Sequence, residues 1–145
     1  HLQIARGLAA LERASGLGGA QQPYALQAAI AACHARARQA ADTDWVRIAA
    51  LYAALANVMP SPVVELNRAV AQGMAYGPEA GLALVETLAN DPALRDYASL
   101  PAVRGDLLQK LGRHEEARAE FERAAGLTLN ARTRALMLAR ALACH

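Results

Sequence analysis

The feature that most restricts the fold of this chain is the regular spacing of its helix breakers. Gly and Pro residues, often beside an Asp, Ser or Asn that can cap a helix, recur at short intervals along the sequence. Between these breaks apolar residues return every three or four positions, and no segment alternates as a half-buried strand does. The sequence therefore predicts an all-α protein whose short connections make neighbouring helices antiparallel.

The breaks delimit eight predicted helices. Their ranges are residues 4–15, 23 to about 38, 45–58, 63 to about 75, 78 to the break at 91–92, 101 to about 111, 114 to about 125, and 131–143. The Asp42-Thr43-Asp44 stretch, Ser61 and Asn130 are the predicted N-caps. Alanine makes up about a quarter of the chain and aromatic residues only 4 %. Side chains this small favour closely spaced helices, as in helical repeat proteins.

The segment 98–129 matches the tetratricopeptide pattern, in which a unit of about 34 residues packs small residues of one helix against the next. Its matching positions are the small residue Gly105, the turn residue Gly112, and the second-helix residues Ala117, Phe121 and Ala124. It departs from the pattern at Arg104, where Leu is usual, and at Leu129, where Pro is usual. We expect the small residues to let two antiparallel helices nest.

Two further segments carry parts of the same pattern. Residues 79–92 match the second helix of a unit, and Trp45, Ile48, Ala49 and Tyr52 reproduce the first-helix spacing. The sequence leaves open which helices pair to form the repeat units. Either the units have irregular lengths, or helix 45–58 pairs with helix 63–75 and helix 101–111 pairs with helix 114–125. In both cases the prediction is one domain over residues 1–145, a short right-handed tetratricopeptide-like solenoid of seven to eight helices.

The charge balance argues against a nucleic-acid or membrane partner. Fifteen Lys and Arg face thirteen Asp and Glu, a net charge of +2, and no apolar run approaches the ~20 residues of a membrane span. The arginines cluster at 36, 38 and 47 and again at 132, 134 and 140; interspersed acids favour solvated helix faces over DNA contacts. Two cysteines suggest reduced thiols in a cytoplasmic protein.

The sequence contains no strong pattern for a metal site or a catalytic site. Cys33-His34 and Cys144-His145 could supply four zinc ligands, but adjacent helical residues point about 100° apart. No Gly-x-Ser-x-Gly elbow or phosphate-binding loop follows a strand. We therefore expect no metal, no cofactor and no enzymatic activity. A deep polar pocket with convergent titratable groups would favour an enzyme or ligand sensor instead.

Polar residues that interrupt apolar helix patterns are the candidate partner-binding positions. They are Gln27, Asn67, Arg68, Arg104 and Asp106. The inner helices of a solenoid present such side chains to a concave groove. An equally weighted alternative is an internal ion pair, for example between Arg104 and an acid of a neighbouring helix. We expect the large aromatics Tyr24, Trp45 and Tyr52 to lie in the core.

Four stretches of the sequence resemble one protein family. They are residues 22–32 (QPYALQAAIAA), 42–45 (DTDW), 61–71 (SPVVELNRAVA) and 106–113 (DLLQKLGR). Together they resemble the C-terminal extension of one group of extracytoplasmic-function sigma factors, and the likeness covers essentially the whole chain. Ala25, where that group usually has Gln, and the Cys33-His34 pair depart from it.

The resemblance implies a regulatory role in transcription initiation. In that group a short RNA polymerase sigma factor is followed by a tetratricopeptide-like domain, so the implied partners are the sigma regions or the polymerase. Promoter recognition would lie outside these 145 residues. Because the chain starts within a helical pattern, we expect it to be a C-terminal part of a longer protein. A free-standing peptide-binding scaffold unrelated to transcription is the alternative, and the sequence leaves the oligomeric state open.

Overall fold

The computed structural model describes residues 22–36 and 43–145, and these ranges contain seven α-helices and no strand. The helices are α1 (Gln22–Arg36), α2 (Trp45–Val58), α3 (Pro62–Tyr76), α4 (Pro78–Leu88), α5 (Ser99–Lys110), α6 (His114–Leu127) and α7 (Ala131–Leu142). Each helix packs against the next along the chain, which is the arrangement of a helical solenoid. The prediction of an all-α fold is confirmed. The helix predicted over residues 4–15 lies outside the described residues.

Three helices begin at the caps that the sequence predicts. The side chain of Asp44 accepts a hydrogen bond from the Arg47 amide at 3.1 Å, and Ser61 accepts one from the Val63 amide at 3.2 Å. Asn130 caps α7 in the same way. These side chains satisfy amides that the first helical turn leaves without an intrahelical partner.

The start of α5 and the connection before it differ from the prediction. α5 begins at Ser99, two residues before the predicted start, because a proline is tolerated anywhere in the first turn and Pro101 is not the first helical residue. The predicted break at 91–92 contains a single-turn 3₁₀ helix, Pro92–Leu94, capped by Asp91. This turn buries Leu94 and so carries the chain from α4 to α5 without leaving the core.

The buried residues form two clusters that meet at α3. The first cluster comes from α1, α2 and α3: Leu26, Ala29, Ile30, Cys33, Ile48, Ala49, Leu51, Leu55, Val64 and Ala71. The second joins α3 to α7 and includes Leu66, Ala69, Val85, Leu108, Ala117, Phe121 and Met137. Trp45 and Tyr52 pack against the first cluster. Tyr24, expected in the core, is instead 75 % exposed, because it lies on the opposite side of α1 from that helix's buried residues.

Glycines allow two helix pairs to approach closely. In the α3–α4 pair, a Cβ placed on Gly81 would lie 2.8 Å from the Ala69 carbonyl oxygen and 2.9 Å from the Gly73 Cα. In the α5–α6 pair, a Cβ on Gly105 would lie 2.9 Å from the Phe121 ring. Since real Cβ atoms do not come this close to a neighbour, only glycine fits at these crossings.

The small-residue pattern repeats after 36 positions, which indicates the phase of the repeat. The equivalent buried pairs are Ala69 and Gly105, Gly81 and Ala117, Val85 and Phe121, and Leu88 and Ala124. α3–α4 and α5–α6 are therefore equivalent hairpins. Of the predicted pairings, the one over 101–111 and 114–125 agrees with this phase, whereas the one over 45–58 and 63–75 does not.

Gly112 ends α5 at the position where the sequence predicts a turn. Its φ of 78° is in the left-handed region. Its amide donates to the Gln109 carbonyl at 3.0 Å, and the Arg113 amide donates to the Leu108 carbonyl at 2.9 Å. This pair of bonds is the Schellman motif, which favours glycine because a Cβ is strained at positive φ.

The contact between Gly105 and Phe121 predicts a cost for the smallest possible substitution. Gly105→Ala would force a buried ring to move, which costs about 1–3 kcal/mol and outweighs the gain in helix propensity of about 1 kcal/mol. We expect a net loss in the free energy of unfolding, measured by urea denaturation followed by circular dichroism.

Gly126→Ala is the matched control. Gly126 is a helical glycine of α6 with nothing within 4 Å of its added Cβ, so the substitution should raise the free energy of unfolding by about 0.5 kcal/mol. Equal stabilities for the two variants would contradict tight packing at Gly105.

Candidate functional site: a groove on α3, α5 and α7

Every second helix from α3 onward contributes to one open groove. Its volume is about 280 Å³, and its lining residues are Val70, Gly73, Met74, Ser99, Ala102, Val103, Asp106, Leu107, Lys110 and Arg140. Gly73 brings α3 close to α5, since a Cβ there would lie 2.9 Å from Leu107 Cδ2. The walls are mainly apolar, and the charged side chains lie together on the α5 and α7 sides.

An ion-pair network forms the polar part of the groove. Asp106 accepts a hydrogen bond from Arg140 at 2.8 Å and pairs with Lys110 at 3.0 Å. Arg140 also donates to Gln109 at 2.8 Å, and its guanidinium lies 4.4 Å from the centroid of the Phe121 ring. Among the described residues that line the groove, two cations therefore face one carboxylate, so the polar part carries a net positive charge.

Asp106 is ionised at neutral pH. Burial by itself raises the pKa of its carboxyl group, but the hydrogen bonds from Arg140 and Lys110, together with their charges, outweigh burial and leave the pKa below its ordinary value. The carboxylate thus serves as a fixed negative charge that orients two cations. Such a group suits electrostatic recognition of a ligand better than proton transfer.

Asp106 and Arg104 flank Gly105 but belong to different networks. Because Gly105 faces α6, the side chains before and after it point to opposite sides of α5. Arg104 pairs with Glu86 of α4 at 2.6 Å and with the buried Glu120 of α6 at 3.6 Å. The hydrogen bond to Glu86 raises the pKa of Arg104 further. Arg104 was predicted either to bind a partner or to form an internal ion pair, and the structure shows the internal ion pair.

The other three candidate positions do not line the groove. Gln27 and Asn67 are exposed on α1 and α3, and Arg68 pairs with Glu65 of its own helix at 3.4 Å. Lys110 and Arg140 line the groove, although neither is among the predicted partner-binding positions. Lys110 carries a usable signal, because it is the one lysine among fifteen cations.

The second arginine cluster, residues 132, 134 and 140, is a solvated face only in part: Arg132 and Arg134 are exposed, whereas Arg140 is half-buried. Arg134 donates to the carbonyl oxygens of Ala125 at 3.3 Å and Thr128 at 2.9 Å, at the C-terminal end of α6. A cation bonded to these carbonyls stabilises the helix end. Arg140 lines the groove, and Arg134 stays exposed while it bonds the end of α6.

The two Cys-His pairs do not meet. Cys33 is buried in the first cluster, and Cys144 in the second. Burial raises the pKa of the Cys33 thiol, although the nearby charge of Arg47 opposes this. His34 is exposed and packs edge-on against Trp45, with ring centroids 5.5 Å apart. Within residues 22–36 and 43–145 no group of three or more His, Cys, Asp or Glu could hold a metal ion.

No helix among the described residues has both the length and the apolar character needed to cross a membrane. No protein-family model matches the chain, and no solved structure matches it. An uncharacterized protein of Rhizobium meliloti (strain 1021) is 53 % identical over 109 residues, which are 75 % of this chain and 25 % of the relative. The match thus spans about a quarter of the relative, which is about four times as long as the matched stretch.

The lowered pKa of Asp106 predicts how its contribution to stability depends on pH. A carboxyl group with a depressed pKa in the folded state contributes fully above its unfolded pKa of about 3.9 and loses that contribution as the pH falls through the folded value. Asp106→Asn should therefore be less stable than the unchanged protein at pH 7, and the difference should shrink below about pH 4.

The measurement is urea denaturation of both proteins at a series of pH values. Asp96→Asn is the control, since Asp96 is an exposed carboxylate in the connection before α5 and does not line the groove. A stability difference for Asp106→Asn that stayed constant between pH 7 and pH 3 would contradict the ion-pair interpretation.

Proposed function

We propose that this chain is the regulatory, protein-binding part of an RNA polymerase sigma factor, and that its groove holds a segment of the sigma regions or of the polymerase. One observation carries the proposal. Val70 belongs to the stretch 61–71, and Asp106, Leu107 and Lys110 belong to the stretch 106–113. Two of the stretches that resemble the sigma-factor extension thus supply four of the ten residues that line the groove.

The chemistry of the groove suits a peptide segment with one apolar and one acidic side chain. The wall between α3 and α5 offers apolar contacts at Val70, Val103 and Leu107, and the volume of about 280 Å³ admits one or two side chains. Lys110 is half exposed and can pair with a carboxylate of the partner. Concave surfaces of this kind are where helical solenoids bind extended segments.

The charges of the groove favour binding over catalysis in this proposal. Asp106 is held ionised by two cations, and Arg140 is fixed between Asp106 and the Phe121 ring. Groups in such pairs are positioned to recognise charge, whereas a general acid or base needs a pKa near the working pH. The proposed partner is a protein, with DNA contacts made elsewhere in the cytoplasmic sigma factor.

The length of the relative is consistent with a domain that serves a larger protein. In Rhizobium meliloti the matching segment makes up 25 % of the chain, which leaves ample room for sigma regions in the remainder. The alternative is a free-standing peptide-binding scaffold, which the geometry of the groove would serve equally well. The reading frame that contains this sequence distinguishes the two, since only the first requires sigma regions in the same polypeptide.

The proposal predicts a transcription defect in the full-length protein. Deleting residues 1–145 should change the yield of promoter-specific transcription in vitro with purified polymerase. Lys110→Glu should reproduce part of that change, because reversing the charge removes a charge-assisted contact worth about 1.5–3 kcal/mol, or roughly tenfold in affinity or more.

Arg118→Glu is the matched control for Lys110→Glu. Both cations belong to i,i+4 ion pairs on helix surfaces, but Arg118 pairs with Glu122 on α6, away from the groove. We expect this variant to stay within twofold of the unchanged protein. Unchanged transcription after deletion of the whole segment would refute the proposed function.

A further inference from the structure

α7 is apolar on the side that faces away from its neighbour. Met137 and Ala141 are buried against the second cluster, and Cys144 lies one turn further on. On the other side Leu138 is 46 % exposed and Leu142 is 70 % exposed. The alanines at 131, 135 and 139 lie on this exposed side as well. A second apolar side on a helix is normally covered by a neighbour, as the first one is.

The preceding helix shows what a solvated outer face looks like in this fold. The exposed residues of α6 include five charges: Glu115, Glu116, Arg118, Glu122 and Arg123. A helix side that stays in contact with water is normally polar in this way. α7 has Leu and Ala in the corresponding places, so its outer face has the composition of an interface.

The charged side chains of α7 itself have one sign. Residues 131–145 contain three arginines and no Asp or Glu. Arg134 bonds the end of α6, and Arg140 bonds Asp106 in the groove. Arg132 is exposed at the N-terminal end of α7, where the helix dipole adds further positive potential.

From these observations we propose that the outer face of α7 docks an acidic amphipathic helix of a partner protein. Leu138 and Leu142, four residues apart, form the ridge that packs into the grooves of that helix. Its acidic side chains pair with Arg132. The inference rests on the proposed protein-binding role but uses a second surface, since each leucine lies about 160° around α7 from Arg140.

A second copy of this chain is a poor occupant of the same face. It would place the exposed Arg132 of each copy beside a helix that has no acidic side chain, so the contact gains no electrostatic attraction. A helix with complementary charge gains the electrostatic attraction that a second copy lacks.

The test uses two synthetic 16-residue peptides and the whole 145-residue chain. Both peptides carry Leu at helical i, i+3 and i+4 spacing; one has Glu at the remaining positions and the other has Lys. Binding is measured by fluorescence anisotropy with labelled peptide. We expect the Glu peptide to bind at least tenfold more tightly than the Lys peptide, and to weaken as salt is raised.

Substitutions on α7, with a control pair on α2 and α3, test whether the peptide binds at the outer face of α7. Leu138→Ser with Leu142→Ser should weaken the Glu peptide at least tenfold, and Arg132→Glu should weaken it at least threefold. Val46→Ser with Val63→Ser removes two exposed apolar side chains from α2 and α3 and should leave binding unchanged. All of these positions are exposed, so circular dichroism should show intact helices.

Three results would overturn the proposal. Equal affinity for both peptides would indicate general apolar adhesion, and binding that survives the double leucine substitution would place the peptide elsewhere. A dimer in light scattering that the same substitution dissolves would identify a second copy as the occupant. None of these results bears on the groove, which the transcription assay of Lys110→Glu tests separately.

Discussion

The arrangement of the C-terminal half depends on the absence of one side chain. Gly105 leaves a notch on α5, and the Phe121 ring of α6 fills it so closely that even a methyl group would overlap the ring. Phe121 is fully buried, and its other surface carries the guanidinium of Arg140 from α7. One ring therefore links three consecutive helices, α5, α6 and α7, and it supports the guanidinium of Arg140 at the groove.

The contact of α5 with α6 at Gly105 also explains why Arg104 and Asp106 belong to different ion-pair networks. With the glycine facing α6, Arg104 is directed towards Glu86 and Glu120, where it links α4, α5 and α6. Asp106 is directed towards α7. The orientation of Gly105 thus places Arg104 in ion pairs that hold helices together and Asp106 in the groove.

Local sequence signals predicted much of the helical framework. Asp44, Ser61 and Asn130 cap helices where expected, because a cap depends only on residues within one turn. The predicted packing positions Gly105, Ala117 and Ala124 are buried, since a repeat pattern encodes which side of each helix meets its partner. The 3₁₀ turn before α5 was not anticipated, because Pro and Asp signal a break without specifying the conformation of the residues after it.

The groove was harder to foresee, since it depends on residues that are far apart in sequence. Arg140 meets Asp106 across 34 positions, and nothing near Arg140 in the sequence distinguishes it from Arg132 or Arg134. Only the stacking of α3, α5 and α7 brings these side chains together. The partners of an arginine are determined by tertiary packing, whereas its presence on a helix is all that a local pattern reveals.

The two contacts of Arg140 couple ligand binding to the stability of the fold. Its guanidinium contacts both the carboxylate of Asp106 and the ring that locks α5 to α6. By thermodynamic linkage, any anion that binds this guanidinium in the native state must also shift the unfolding equilibrium. An anion bound in the groove would then change the melting temperature of the whole C-terminal half.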